Sequence, residues 1–195
     1  MLSDSVLFTT GFSSQTRMLM NGLAAKGHEC HVIANNTPCQ EIAPGLRFSD
    51  NYRLNFTIHS GGMDPNSYAR DVIPILTKKL RPNALITLFD TFMIFGANHM
   101  NVDFSPAHGY FWVPSDGGSH PDAKEEHTEE YLSILPMYCE NILKKYDYTV
   151  AMSKFCQKQM LKQYDIHSQY IPQGVNQHIF NPLQDESRQK IRTNF

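Results

Sequence analysis

The sequence predicts an α/β fold: a mostly parallel sheet of about seven strands, doubly wound, with helices on both faces. Three observations carry this. β-prone runs alternate with helical periodicities along almost the whole chain. Several of those runs, "NALITLFD" and "GYFWVP" among them, are nearly continuous in apolar residues, as strands buried on both faces are. A chain of 195 residues also buries about 70% of its unfolded surface, enough for one large domain without covalent staples.

Taken in order, Val6-Leu7-Phe8-Thr9-Thr10 reads as the first strand, closed by Gly11. Ser13 or Ser14 can cap the helix that follows, because a hydroxyl accepts from the free first-turn amides. Leu19 and Leu23 share one face of that helix, flanked by Met18 and Met20. Lys26 suits its negative end and Gly27 a left-handed cap. "ECHVIAN" is the second strand and "YRLNFTIH" the third, broken by Gly61-Gly62 and Pro65. "SYARDVIPILTKKL" is helical, with Tyr68, Val72, Ile75, Leu76 and Leu80 inward. Pro74 inside it removes a hydrogen bond and predicts a kink or a late start. "NALITLFD" precedes a short helix from Thr91, and "GYFWVP" is the next strand. "PMYCENILKKYD" is helix, "YTVAMS" strand, "KFCQKQMLKQYD" helix and "SQYIP" strand. "DESRQKIRTNF" opens a last helix. There are no internal repeats and no low-complexity segments.

Seventeen Lys plus Arg against nineteen Asp plus Glu give a formal charge of −2, which disfavours nucleic acid as a partner. Cys30, Cys39, Cys139 and Cys156 form no C-x-x-C pair, so buried or free thiols are expected rather than a zinc or redox site. Met1-Leu2-Ser3-Asp4 lacks a basic leader and no long apolar run follows, so a cytoplasmic location is expected. No strongly basic amphipathic helix stands out, and peripheral membrane association stays open.

In a doubly wound sheet, ligands lie beyond the carboxyl ends of the strands. The stretches to search are Gly11 to Thr16 (Gly11, Phe12, Ser13, Ser14 and Gln15 foremost), Asn35-Asn36, Asp90-Thr91, Ser115 to Gly118, Ser153-Lys154, and Gln173, Gly174, Val175 and Asn176. "TTGFSSQTR" opens a helix whose free amides can hold a phosphate or sugar oxygen, yet both phosphate-loop fingerprints are missing. Asp116 follows a buried strand on a Gly-Gly loop. It either accepts from sugar hydroxyls and acts as a base, or simply makes a turn. "SHPDAKEEHTEE" has no metal-ligand spacing and reads as a solvated acidic helix start; no metal is expected. His28 and His31 point to opposite faces of an extended chain, and His59, His99, His108, His167 and His178 are scattered. Ser153 lacks the nucleophile-elbow pattern and reads as a helix N-cap.

Together these motifs resemble the N-terminal domain of family-4, retaining glycosyltransferases of the GT-B fold. "VLFTTGFSSQTRMLMNGLAAKGHECHVIA" is similar to that family's opening. "KYDYTVAMSKFCQKQMLKQYDIHSQYIPQGVNQHIFNPLQDESRQKIRTNF" is similar to its "aD-v-a-S-f", helix, "iphGvD---F-P" run and the "R---R--f" helix after it. The likeness covers most of the chain, strongest over 146–195 and weak between 35 and 80. It implies a Rossmann-like N-terminal domain over 1–183, with 184–195 starting the helix towards a donor-binding domain. In the family, the loop held here by Gln173 to Asn176 ends the last strand of this domain and faces the cleft. Asn176 replaces the usual Asp and Gln173 the frequent His, both without charge. Gly11 alone stands where a double glycine is common, and the fifth strand ends in Ser115-Asp116 where many members have a histidine.

The resemblance implies transfer of a sugar from a nucleotide-sugar donor, UDP- or GDP-linked, to an acceptor hydroxyl. The donor is a co-substrate, and no tightly bound cofactor is implied. The acceptor is a glycan, lipid or small molecule. Asp116 would orient it or act as base, with Gly11 to Gln15, Asp90, Thr91, Ser153, Lys154 and Gln173 to Asn176 lining the cleft. Lys154 either approaches a donor phosphate or is merely solvated. The donor side, with its E-x7-E motif, is missing, so this chain alone is expected to be inactive. It would need a C-terminal domain or a separate donor subunit, or would pair with itself through the exposed cleft face. The rivals are a non-catalytic glycan- or partner-binding module and an unrelated nucleotide-binding enzyme complete in this chain.

Overall fold

The computed structural model describes residues 1–37, 41–49, 52–62, 64–90, 93–94, 99–113, 140–175 and 189. Among these, seven parallel strands form one sheet. In chain order its strands are β1 (Leu2–Asp4), β2 (His31–Asn35), β5 (Thr57–Ser60), β6 (Ala84–Thr87), β7 (His108–Val113), β8 (Tyr148–Ala151) and β9 (Gln169–Tyr170). Their spatial order is β5-β2-β1-β6-β7-β8-β9. β1 is central, with Leu2 opposite Ile33 on one side and Thr87 on the other. The chain winds outward through β2 and β5, then returns to β6 and winds the other way. The order reverses between β1 and β6, and that switch point is where a doubly wound sheet opens a crevice. This is the Rossmann-like α/β sheet expected from the alternation of elements.

Among the described residues the longer α-helices are α1 (Gly11–Ala25), α2 (Ile73–Leu80), α3 (residues 140–145) and α4 (Lys154–Tyr164). Alternate strand residues feed two apolar clusters. Leu2, Ile33, Leu85, Phe111, Val113 and Ala151 join residues of α2, α3 and α4 in one. Val32, Ala34, Ile58, Trp112 and Val150 join Met20, Leu19 and Leu23 of α1 in the other. Cys30 and Cys156 are both buried.

Four expectations need correction. The first strand is Leu2–Asp4, not Val6–Thr10, because the Arg17 guanidinium donates to the Val6 and Phe8 carbonyls at 2.6 and 2.8 Å and holds that segment as a turn. The cap of α1 is Thr10, whose hydroxyl accepts from the Ser13 amide at 3.1 Å, so neither Ser13 nor Ser14 caps. "YRLNFTIH" is two strands. Tyr52–Arg53 (β4) pairs antiparallel with Arg47–Ser49 (β3), and only Thr57–Ser60 joins the main sheet. Ile75 points outward at 67% exposure, while Ile73, Leu76 and Thr77 are buried. The Pro74 conflict resolves as a late start, since α2 begins at Ile73 with the proline in its first turn, where no amide is needed. The expected helix over 185–195 lies outside the described residues, Gln189 excepted.

Candidate functional site

The site is the crest of the sheet, where the carboxyl ends of the strands and their loops meet. Asp4 ends β1 at the switch point, half-buried. Desolvation raises its pKa above the usual carboxylate value, and a long 3.4 Å bond from the Thr10 hydroxyl offsets only part of that. Asp90 follows β6, the neighbouring strand, and its carbonyl accepts from the Met93 amide at 3.1 Å. Two carboxylate residues therefore follow adjacent strands at the crevice.

The loop between β1 and α1 is tied down from below. Ser13 is fully buried and its hydroxyl donates to the Ser5 carbonyl at 2.6 Å. Thr16 and Ser3 hydroxyls lie 2.8 Å apart beneath it. Arg17 adds a third bond, to the Ser14 hydroxyl at 3.1 Å, and its guanidinium sits 4.2 Å over the Phe48 ring. Phe12 wedges against both apolar clusters, edge-on to Phe89 at 6.2 Å. Of the first-loop candidates, Phe12 and Ser13 thus face inward as props. Gly11 is exposed, and a Cβ there would meet nothing within 4 Å, so the space over the first turn of α1 is open.

Across the crest, the Ser153 hydroxyl caps α4 by accepting from the Cys156 amide at 2.9 Å, as its place before a helix predicted. Lys154 is exposed beside it. Gln173 reaches the Met152 sulfur at 2.9 Å. The Gln15 amide donates to the Gly174 carbonyl at 3.3 Å. That bond joins the N-terminal end of α1 to the loop after β9, two segments that only the fold brings together. Val175 is exposed at 65%. The Trp112 indole donates to the Ile171 carbonyl at 3.2 Å and fixes the start of the same loop.

On the other flank, the loop after β2 is pinned to β5. Ser60 donates to the Thr37 carbonyl at 2.7 Å, and Gly61 packs so closely that a Cβ would lie 2.8 Å from the Ala34 carbonyl oxygen. Asp116, Thr91 and Asn176 lie outside the described residues, as do Ser115 to Gly118.

Asp4, Thr10 and Arg17 are crest residues that sequence reasoning missed. The misplaced first strand hid them, because "VLFTT" has the stronger β propensity. A second missed group lies away from the crest. His31 Nδ1 and His59 Nε2 are 3.0 Å apart with stacked rings, flanked by Glu29 at 3.0 Å and Glu41 at 3.2 Å. His59 opposes Ile33 in the parallel register, two residues beyond His31, which puts both rings on one face. Far along the chain, a hollow of about 320 Å³ is lined by 102–108, Lys145 and Asp147. Lys145 there donates to the His99 carbonyl at 2.7 Å, and Asp147 accepts from the Gly109 amide at 2.7 Å, so both charges serve the backbone.

Comparison with protein-family models and with curated proteins returns no match. Among the described residues no cluster of three or more His, Cys, Asp or Glu could hold a metal, and no helix is long and apolar enough to cross a membrane.

Proposed function

We propose that the chain is the acceptor-side half of a nucleotide-sugar-dependent glycosyltransferase, with the crest as its working face. The observation that carries this is the Gln15 to Gly174 bond. It draws together the two segments on which the resemblance rests, at the end of the sheet where a ligand belongs. Asp4 accepts a hydrogen bond from the acceptor hydroxyl at the switch point. The acceptor oxygen forms a bond to the anomeric carbon as the bond from that carbon to the diphosphate breaks. The electron pair leaves with the diphosphate, and the hydroxyl proton passes to it or to a carboxylate. Positioning supplies most of the rate, and the braced β1–α1 loop is suited to it.

The test is acceptor-dependent release of nucleoside diphosphate by the complete gene product, over a panel of UDP- and GDP-sugars. Turnover is expected, and Asp4→Asn is expected to lower kcat by about a hundredfold. No release from any donor sinks the proposal. Glycan binding without turnover marks a binding module instead, and tight nucleotide binding by residues 1–195 alone marks a different enzyme.

A further inference from the structure

The outward face of α4 carries more than its fold requires. Cys156, Met160 and Tyr164 are buried against the sheet. The opposite side presents Lys154, Lys158 and Lys162, one turn apart on a single stripe, with Phe155 and Leu161 beside them. Phe155 is 56% and Leu161 45% exposed. The helix contains no acidic residue; Asp165, its exposed C-cap, is the nearest in sequence. None of the three lysines pairs with a carboxylate among the described residues. Like charges four apart repel, so the stripe works against the helix that bears it. The adjoining edge strand β9 adds Tyr170, 40% exposed. It opposes Ala151 in the register and so lies on the α4 side of the sheet.

We propose that this face docks reversibly on an anionic bilayer surface, with the lysines over the headgroups and Phe155, Leu161 and Tyr170 in the boundary below. The charge is complementary: a chain of formal charge −2 concentrates three unpaired lysines here. Phe155 and Leu161, one on each side of the lysine stripe, add the apolar component that interfacial helices carry, and the tyrosine suits the headgroup layer. A protein partner fits less well, since lysine is depleted at such interfaces. Nucleic acid fits less well too, because the face has no arginine to grip phosphate bidentately. The proposal does not depend on the transferase reading.

The experiment is co-sedimentation of the 195-residue chain with phosphatidylcholine vesicles, with and without about one-third phosphatidylserine, in about 0.05 M and about 0.5 M salt. Binding is expected only with phosphatidylserine and only at low salt. Lys158→Glu with Lys162→Glu is expected to lower the partition coefficient at least about tenfold. Phe155→Ser is expected to lower it about tenfold with unchanged circular dichroism, since the side chain lies outside the core. Failure to sediment with the anionic vesicles overturns the proposal, and so does sedimentation indifferent to the lysine changes. Retention on heparin that needs the lysines but not Phe155, without vesicle binding, would reassign the face to a polyanion and overturn it as well.

Discussion

Asp4 pays for its position. Its carboxylate sits at the end of the central strand, partly desolvated, with one long hydrogen bond and a raised pKa. A raised acid is held charged at a cost above its folded pKa. Asp4→Asn is therefore expected to raise the melting temperature at neutral pH by about 2 °C while lowering turnover, measured by calorimetry beside the release assay. Histidine works in the other direction. Burial lowers the pKa of both His59 and His99; Glu41 opposes the shift at His59, while His31 and Lys79 add to it. The unfolded chain takes up these protons at higher pH than the folded one. Their contribution is complete above the unfolded value of about 6.5 and is lost as pH falls from there towards the folded values. Urea midpoints should thus fall between about pH 7.5 and about pH 5, and His99→Gln should flatten the slope. None of this could be read from the sequence, where the histidines look scattered. Only the register places His59 beside His31.

Among elements, those with punctuation were legible and those without were not. Gly27, with φ of +90°, ends α1 as expected, and Pro74 sets where α2 begins. Ser153 caps α4. The first strand misled because its own residues, Leu2 to Asp4, are only three, two of them polar, whereas the turn after them is apolar. Val6 is fully buried, so that apolar run does reach the core, but as a turn clamped by a guanidinium donated from the next helix. Such a long-range clamp leaves no local trace in sequence. β3 and β4 were hidden likewise, since strands of three and two residues have no period to detect. Gly61 makes its case through contact, not conformation. Gly61→Ala would drive a methyl to within 2.9 Å of Ala34 and Asn35 backbone atoms that cannot yield cheaply, and is expected to cost about 2–3 kcal/mol in urea unfolding.

For the whole molecule, the alternation of elements and the apolar strands were enough to give the parallel sheet, and the sheet in turn gives the crest. At that crest the Gln15 contact ties the start of α1 to the loop after β9, and the Gln173 contact ties the same loop to Met152, just after β8. What the rule could not give was which loop residues face inward, because hydroxyls such as Ser13 and Thr16 are polar in sequence yet satisfied in the interior. The central strand should be the last part to open. Ile33 donates to the Met1 carbonyl at 2.7 Å and Leu88 to the Leu2 carbonyl at 3.0 Å. These two amides are expected to exchange with deuterium only through global unfolding, and exchange faster than the helix ends would contradict a sheet centred on β1.

The placement of β1 between β2 and β6 also sets an order of assembly. A parallel neighbour is reached only through a crossover, so β1 gains its first partner at residues 33–35 and its second at Thr87. During synthesis it waits with one edge bare until β6 has left the ribosome. Non-local pairing of this kind is slow and exposes unpaired edges to other chains while it waits. The crevice that a switch point opens between β1 and β6, where Asp4 ends its strand, therefore has no existence in a nascent chain that stops short of β6. A ligand that recognised it would discriminate finished molecules from half-made ones.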